Sequence, residues 1–131
     1  MIIDCHGHYT TIPAAFGEYR DALHARLAEA DGGALPAVPA ISDGEISEMI
    51  EANQLRLQGE RGIDLTIFSP RASWMDQHIT DAATARAWAR ASNDLVHRVT
   101  TLSRGTSPAS ASCRRLRVAR SAIRSPSLSG A

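Results

Sequence analysis

The chain has 131 residues, well short of the roughly 250 that a complete β/α barrel uses, so a closed barrel is excluded for this length of chain alone. Its formal net charge is zero, from 14 cationic and 14 acidic residues, but the balance is uneven. Residues 1–102 carry eight Arg against all fourteen acids, whereas residues 103–131 carry six Arg and no acid. Every cation is Arg, which with the abundant Ala points to a GC-rich gene rather than to a nucleic-acid-binding surface.

Ile2 to Cys5 is a short apolar run containing β-branched residues and followed by polar ones, which predicts a buried strand of a parallel sheet. Thr11 is placed to cap a helix that tolerates Pro13 in its first turn and runs to Glu29, where Asp31-Gly32-Gly33 ends it. Residues 34–40, with two Pro, form a loop. Ser42 and Glu45 then make the S-x-x-E capping pattern, and Ile46, Met49, Ile50, Asn53 and Leu57 follow at helical spacing until Gly62 closes the helix. Ile63 to Phe68 is the second strand, ended by Ser69-Pro70. Asp81 can cap a further helix with Ala85, Trp88, Ala89, Ser92, Leu95, Val96 and Val99 on one face.

Strands alternating with helices imply an α/β fold with parallel strands, either a doubly wound sheet or a β/α barrel. Two strands cannot close a barrel, so the apolar faces of Ile46, Met49, Trp88 and Val96 are expected to lie open to water. The start of the chain has no positive leader and no long apolar run, so the default compartment is the cytoplasm, with no membrane partner.

Asp4, His6 and His8 alternate along the end of the first strand, and a period of two puts all three on one face. At the carboxyl end of a barrel strand, His6 and His8 could hold a divalent metal, with further ligands coming from elsewhere; the plain alternative is two polar residues at a strand end. Cys5 alternates away from the pair and is expected to pack in the core. Cys5 and Cys113, two cysteines without a secretory leader, are read as free thiols. His24 and His97 fall on predicted helices as surface residues, His78 on a solvated loop, and Trp74 at a pocket wall or barrel rim.

Ile3-Asp4-Cys5-His6-Gly7-His8 resembles the first-strand metal motif of the amidohydrolase superfamily, in the branch that holds decarboxylases and hydratases. The segments 51–57, 60–75, 88–90 and 93–102 sharpen this into a resemblance to the 4-oxalomesaconate hydratases, covering residues 1–102. The resemblance implies the N-terminal part of an incomplete, metal-dependent (β/α)8 TIM-type barrel. It also implies a Zn2+ cofactor and a lyase that adds water across a double bond of a tricarboxylic keto acid in aromatic-compound degradation. The partner is then a small carboxylated substrate, and a homo-oligomer stays open for the intact parent. In that reading His6 and His8 are metal ligands and Arg71, just past the second strand, grips a substrate carboxylate, although a surface Arg in a loop is an equal alternative. The general base and the catalytic residues stay unknown.

After Leu102 a third strand should follow within about two to six residues, and none is evident. Of the 29 residues from Ser103, eight are Ser, six Arg and five Ala, a composition expected to be disordered, with room for a short helix around Arg114 to Ile123. A shifted reading frame accounts for the change: compatible codon choices from the third base of the Ser103 codon give PGNFAGVCQLPQ, which resembles the continuation of the hydratases and restores an apolar strand. Residues 1–102 are therefore read as the barrel portion and 103–131 as an out-of-frame tail, the chain as it stands being inactive. Two other readings remain, a related decarboxylase or hydrolase of the same superfamily and a small non-catalytic interaction protein with a basic tail.

Overall fold

A computed structural model describes residues 1–9, 11–29, 33–69, 81–105 and 115–118. Its elements in chain order are β1 (Ile3–His8), α1 (Ala14–Leu27), α2 (Asp43–Ile50), a π-helical turn (Glu51–Leu55), α3 (Arg56–Glu60), β2 (Leu65–Ser69), α4 (Ala82–Gly105) and β3 (Arg115–Val118). The three strands form one parallel sheet in the order β1-β2-β3. Among the described residues, no helix is long and apolar enough to cross a membrane.

Two helix signals in the sequence act as expected. Ser42 Oγ accepts from the Glu45 backbone N–H at 3.1 Å, and Asp81 Oδ1 accepts from Ala83 N at 2.8 Å and Thr84 N at 3.0 Å, so both side chains satisfy donors that a first helical turn leaves free. Gly62, at φ 65°, ends α3 in the left-handed conformation that a side chain disfavours. The bonds Ile63 N to Gln58 O and Gly62 N to Gly59 O complete the paired closure typical of a glycine stop. Thr11, by contrast, does not cap α1. The residue before that helix is Pro13, without a side-chain cap, and Thr11 Oγ1 donates instead to Gln54 Oε1 at 2.7 Å.

The helix before β2 is not one continuous phase. The π turn inserts an extra residue, so the inward position that an unbroken α-helix would give to Leu57 passes to Gln58. Ile46 and Ile50, ahead of the turn, are buried, Gln58 beyond it is 4% exposed, and Leu57 is exposed.

The expectation that Ile46, Met49, Trp88 and Val96 face water is overturned for Ile46, Trp88 and Val96, while Met49 is half-buried. All three are buried in a core built by Phe16, Tyr19 and Leu23 of α1, Ile46 and Ile50 of α2, and Trp88, Leu95, Val96 and Val99 of α4. The helices bury these faces against one another and against Phe68, without needing a closed barrel. Trp88 lies against Phe16 and Tyr19, with ring centroids 4.9 and 6.5 Å away. Arg26 ties the end of α1 to the start of α4 through Asp81 Oδ2 and Thr84 Oγ1, both at 2.6 Å.

Helices cover the side of the sheet where Thr66 and Phe68 are buried, and Ile3 is 46% exposed. Cys5 is likewise an exposed free thiol rather than a core residue; Cys113 lies outside the described residues.

The absent third strand also needs correction. α4 runs on to Gly105, and Arg115–Val118 forms a strand where a short helix had been allowed. Ladder bonds are made by the backbone, so the free edge of β2 accepts a strand that the average composition of the tail did not announce. In register, Leu116 and Val118 stand beside Thr66 and Phe68, and the two Arg beside Leu65 and Ile67.

Candidate metal centre

β1 reaches three residues further than its apolar run, so His6 and His8 lie within the strand rather than beyond it. The ladder holds them: Gly7 pairs with Phe68 and His8 with Ser69. Between Asp4, paired with Thr66, and Gly7 the register shifts, so that Cys5 and His6 oppose Ile67 alone. Such a bulge resets the alternation of faces once. Asp4, His6 and His8 still line one cleft, but Asp4 is not gathered with the two imidazoles into a group of three metal ligands among the described residues. Asp4 instead supports the bulge, its Oδ1 accepting from the His6 backbone N–H at 3.1 Å.

The two imidazoles do converge. Their Nε2 atoms are 3.1 Å apart, with rings edge-on at 89° and centroids separated by 4.7 Å. Two nitrogens bound at roughly 2.0–2.1 Å to one tetrahedral zinc would be about 3.3–3.4 Å apart, so the pair fits a shared divalent ion with a small adjustment. The same spacing suits a direct N–H···N bond in the free chain. Among the described residues no group of three or more His, Cys, Asp or Glu side chains that could hold a metal ion gathers here.

Gly7 makes the close packing of the strands possible. A Cβ built there would overlap Thr66 Cγ2 and reach the Ile67 carbonyl oxygen at 3.0 Å. The loop after β1 is held from the helix side, where Gln54 Nε2 lies 3.5 Å from the His8 carbonyl oxygen. His8 is held from β2 as well: Ser69 Oγ lies 2.9 Å from His8 Nδ1 and 3.2 Å from the Gly7 carbonyl oxygen.

A cleft beside the pair is lined by Asn53, Gln54, Gln58 and Arg61 together with β1 residues. Asn53, Gln54, Gln58 and Arg61, like Ser69, did not stand out in the sequence as part of a site. Ser69-Pro70 reads only as a strand stop, and the π turn that carries Gln54 leaves no mark in hydrophobic spacing. Tyr9, next to the pair in sequence, is buried, and burial foremost, with Glu45 adding, pushes its hydroxyl pKa up to about 12. His24 and His97 are exposed on α1 and α4, as expected. Arg71, Trp74 and His78 lie outside the described residues.

No protein-family model matches the chain. A curated relative, the 2-keto-4-carboxy-3-hexenedioate hydratase of Sphingobium sp., is 56% identical over 102 residues, which is 78% of this chain and 29% of the relative. The crystal structure of 4-oxalomesaconate hydratase LigJ from Rhodopseudomonas palustris matches 98% of this chain with a TM-score of 0.74 and 37% identity, over 35% of that protein. The chain thus spans about a third of the length of the proteins it matches, and in sequence and fold it is a relative of these hydratases.

Proposed function

We propose that this chain is the amino-terminal part of a zinc-dependent hydratase acting on 4-oxalomesaconate, in a (β/α)8 barrel whose first two strands are β1 and β2. The observation that supports it is the approach of His6 and His8 Nε2 to 3.1 Å at the carboxyl end of a parallel strand, in a chain related to such hydratases. His6 and His8 would hold the ion. When bound, zinc would polarise substrate oxygens and stabilise the charge that develops as water adds to the double bond. Arg71 is assigned to a substrate carboxylate, which an Arg can hold through two parallel hydrogen bonds.

A catalytic zinc has about three protein ligands, and two are available here. The 131-residue chain is therefore expected to bind zinc weakly and to lack hydratase activity, whereas the product of the same gene with its frame restored after Leu102 binds zinc firmly and hydrates the substrate. Replacing both His6 and His8 by Ala in the restored protein removes zinc and turnover together. Comparable turnover by the unrestored chain and the restored protein would overturn this reading.

A further inference from the structure

Ser69 stands at the last ladder position of β2, opposite His8, and its hydroxyl meets two groups at once. One is the Gly7 carbonyl oxygen at 3.2 Å and the other is His8 Nδ1 at 2.9 Å. A carbonyl oxygen can only accept, and the hydroxyl has one proton to give. Both contacts are satisfied together only when Ser69 donates to Gly7 O and accepts from a protonated Nδ1 of His8. With Nδ1 carrying the proton of a neutral ring, His8 Nε2 is left as a lone pair aimed at His6.

We propose that Ser69 is a positioning residue that fixes His8 in the Nδ1–H tautomer and so presents its Nε2 as a ready ligand for a divalent ion. Among the described residues His6 has no such guide: in the free chain its Nε2 faces the His8 lone pair at 3.1 Å, which requires His6 to be the Nε2–H donor. The two rings are therefore unequal. His8 is preset, and His6 must move its proton to Nδ1 before its own Nε2 can bind metal. This rests on the metal reading for its use, although the tautomer itself is a property of the free chain.

The experiment is long-range 1H–15N NMR of the histidine rings in the 131-residue chain, with His6→Gln and His8→Gln variants for assignment. Zn2+ affinity is measured in parallel by chelator competition. In the free chain His8 is expected as Nδ1–H and His6 as Nε2–H, and saturation with Zn2+ converts only His6. Ser69→Ala is expected to mix the His8 tautomers and to weaken Zn2+ binding by about tenfold, in the range seen when a ligand loses its supporting partner, while Ser69→Thr keeps the hydroxyl and restores both. His8 found as Nε2–H in the unmodified chain, or unchanged in a folded Ser69→Ala variant, overturns the proposal. If Ser69→Ala does not fold, the tautomer of the unmodified chain decides alone. Failure of the unmodified chain to bind Zn2+ would count against the metal reading, and the NMR result would still stand or fall by itself.

Discussion

Replacing Gly7 by Ala adds a single methyl group at the point where β1 and β2 are most closely packed. The backbone of Gly7 is not in the left-handed region, so Ala should be conformationally tolerated and should gain a few tenths to about 1 kcal/mol from a less flexible unfolded chain. Against that stand the overlap with Thr66 Cγ2 and the 3.0 Å approach to Ile67 O. The carbonyl belongs to the β2 backbone and cannot retreat without disturbing the strand, and Thr66 is buried and β-branched, with few rotamers to choose from. Overpacking of this kind costs about 1–3 kcal/mol, leaving a net loss of about 1–2 kcal/mol. With a urea slope of about 1–3 kcal/mol/M for a small protein, the unfolding midpoint followed by circular dichroism should fall by about 0.5–1 M. Adding Thr66→Ser removes the offending methyl and should recover most of the loss. A Gly7→Ala chain that keeps its midpoint, or a double variant no better than the single one, would refute the steric account.

Asp81 is held well below the usual carboxylate range, first by its hydrogen bonds from the Thr84 side chain and backbone and further by Arg26 and Ala83. A depressed folded pKa contributes stability that is present above the unfolded value, near about 3.9, and is lost as pH falls through the folded one. Urea midpoints of Asp81→Asn and the unmodified chain should therefore differ at pH 6 and draw together toward pH 2; a gap that stays constant would contradict the assignment. Gln58→Leu should raise stability by about 1 kcal/mol, because it removes a buried amide whose nitrogen and oxygen both lack a partner among the described residues, and a lower urea midpoint would show that the amide is satisfied.

What could be read from the sequence was whatever depends on a residue type at a fixed place. The Ser42 and Asp81 caps, the Gly62 stop and the convergence of His6 with His8 all belong to this group, because each follows from one side chain and its nearest backbone. Two other features, the bulge at Cys5-His6 and the π turn at Glu51–Leu55, each add one residue to an otherwise regular element. Periodicity assumes a constant phase, so it did not foresee the register shift between Asp4 and Gly7 and put Leu57 in place of Gln58. β3 was hidden for a different reason: four alternating residues were averaged into a Ser- and Arg-rich tail. The burial of Trp88 and Val96 escaped because barrel closure was taken as the only cover available to them, whereas neighbouring helices supply it.

The π turn makes the loop beside His8 depend on a count of residues rather than on their kind. Gln54, whose Nε2 lies 3.5 Å from the His8 carbonyl oxygen across 46 positions of sequence, sits inside the turn where the helix takes up one extra residue. Removing Ala52, for example, would leave Gln54 chemically intact but close the turn to a regular α-helical one and shift the place of Gln54 in it, whereas Gln58, then seven residues after Ile50, would stay on the inward face. In this stretch a substitution edits one contact, whereas a deletion moves the side chains of the turn that faces His8 and is absorbed before α3, so a change of length here is felt at the site and not along the rest of the helix.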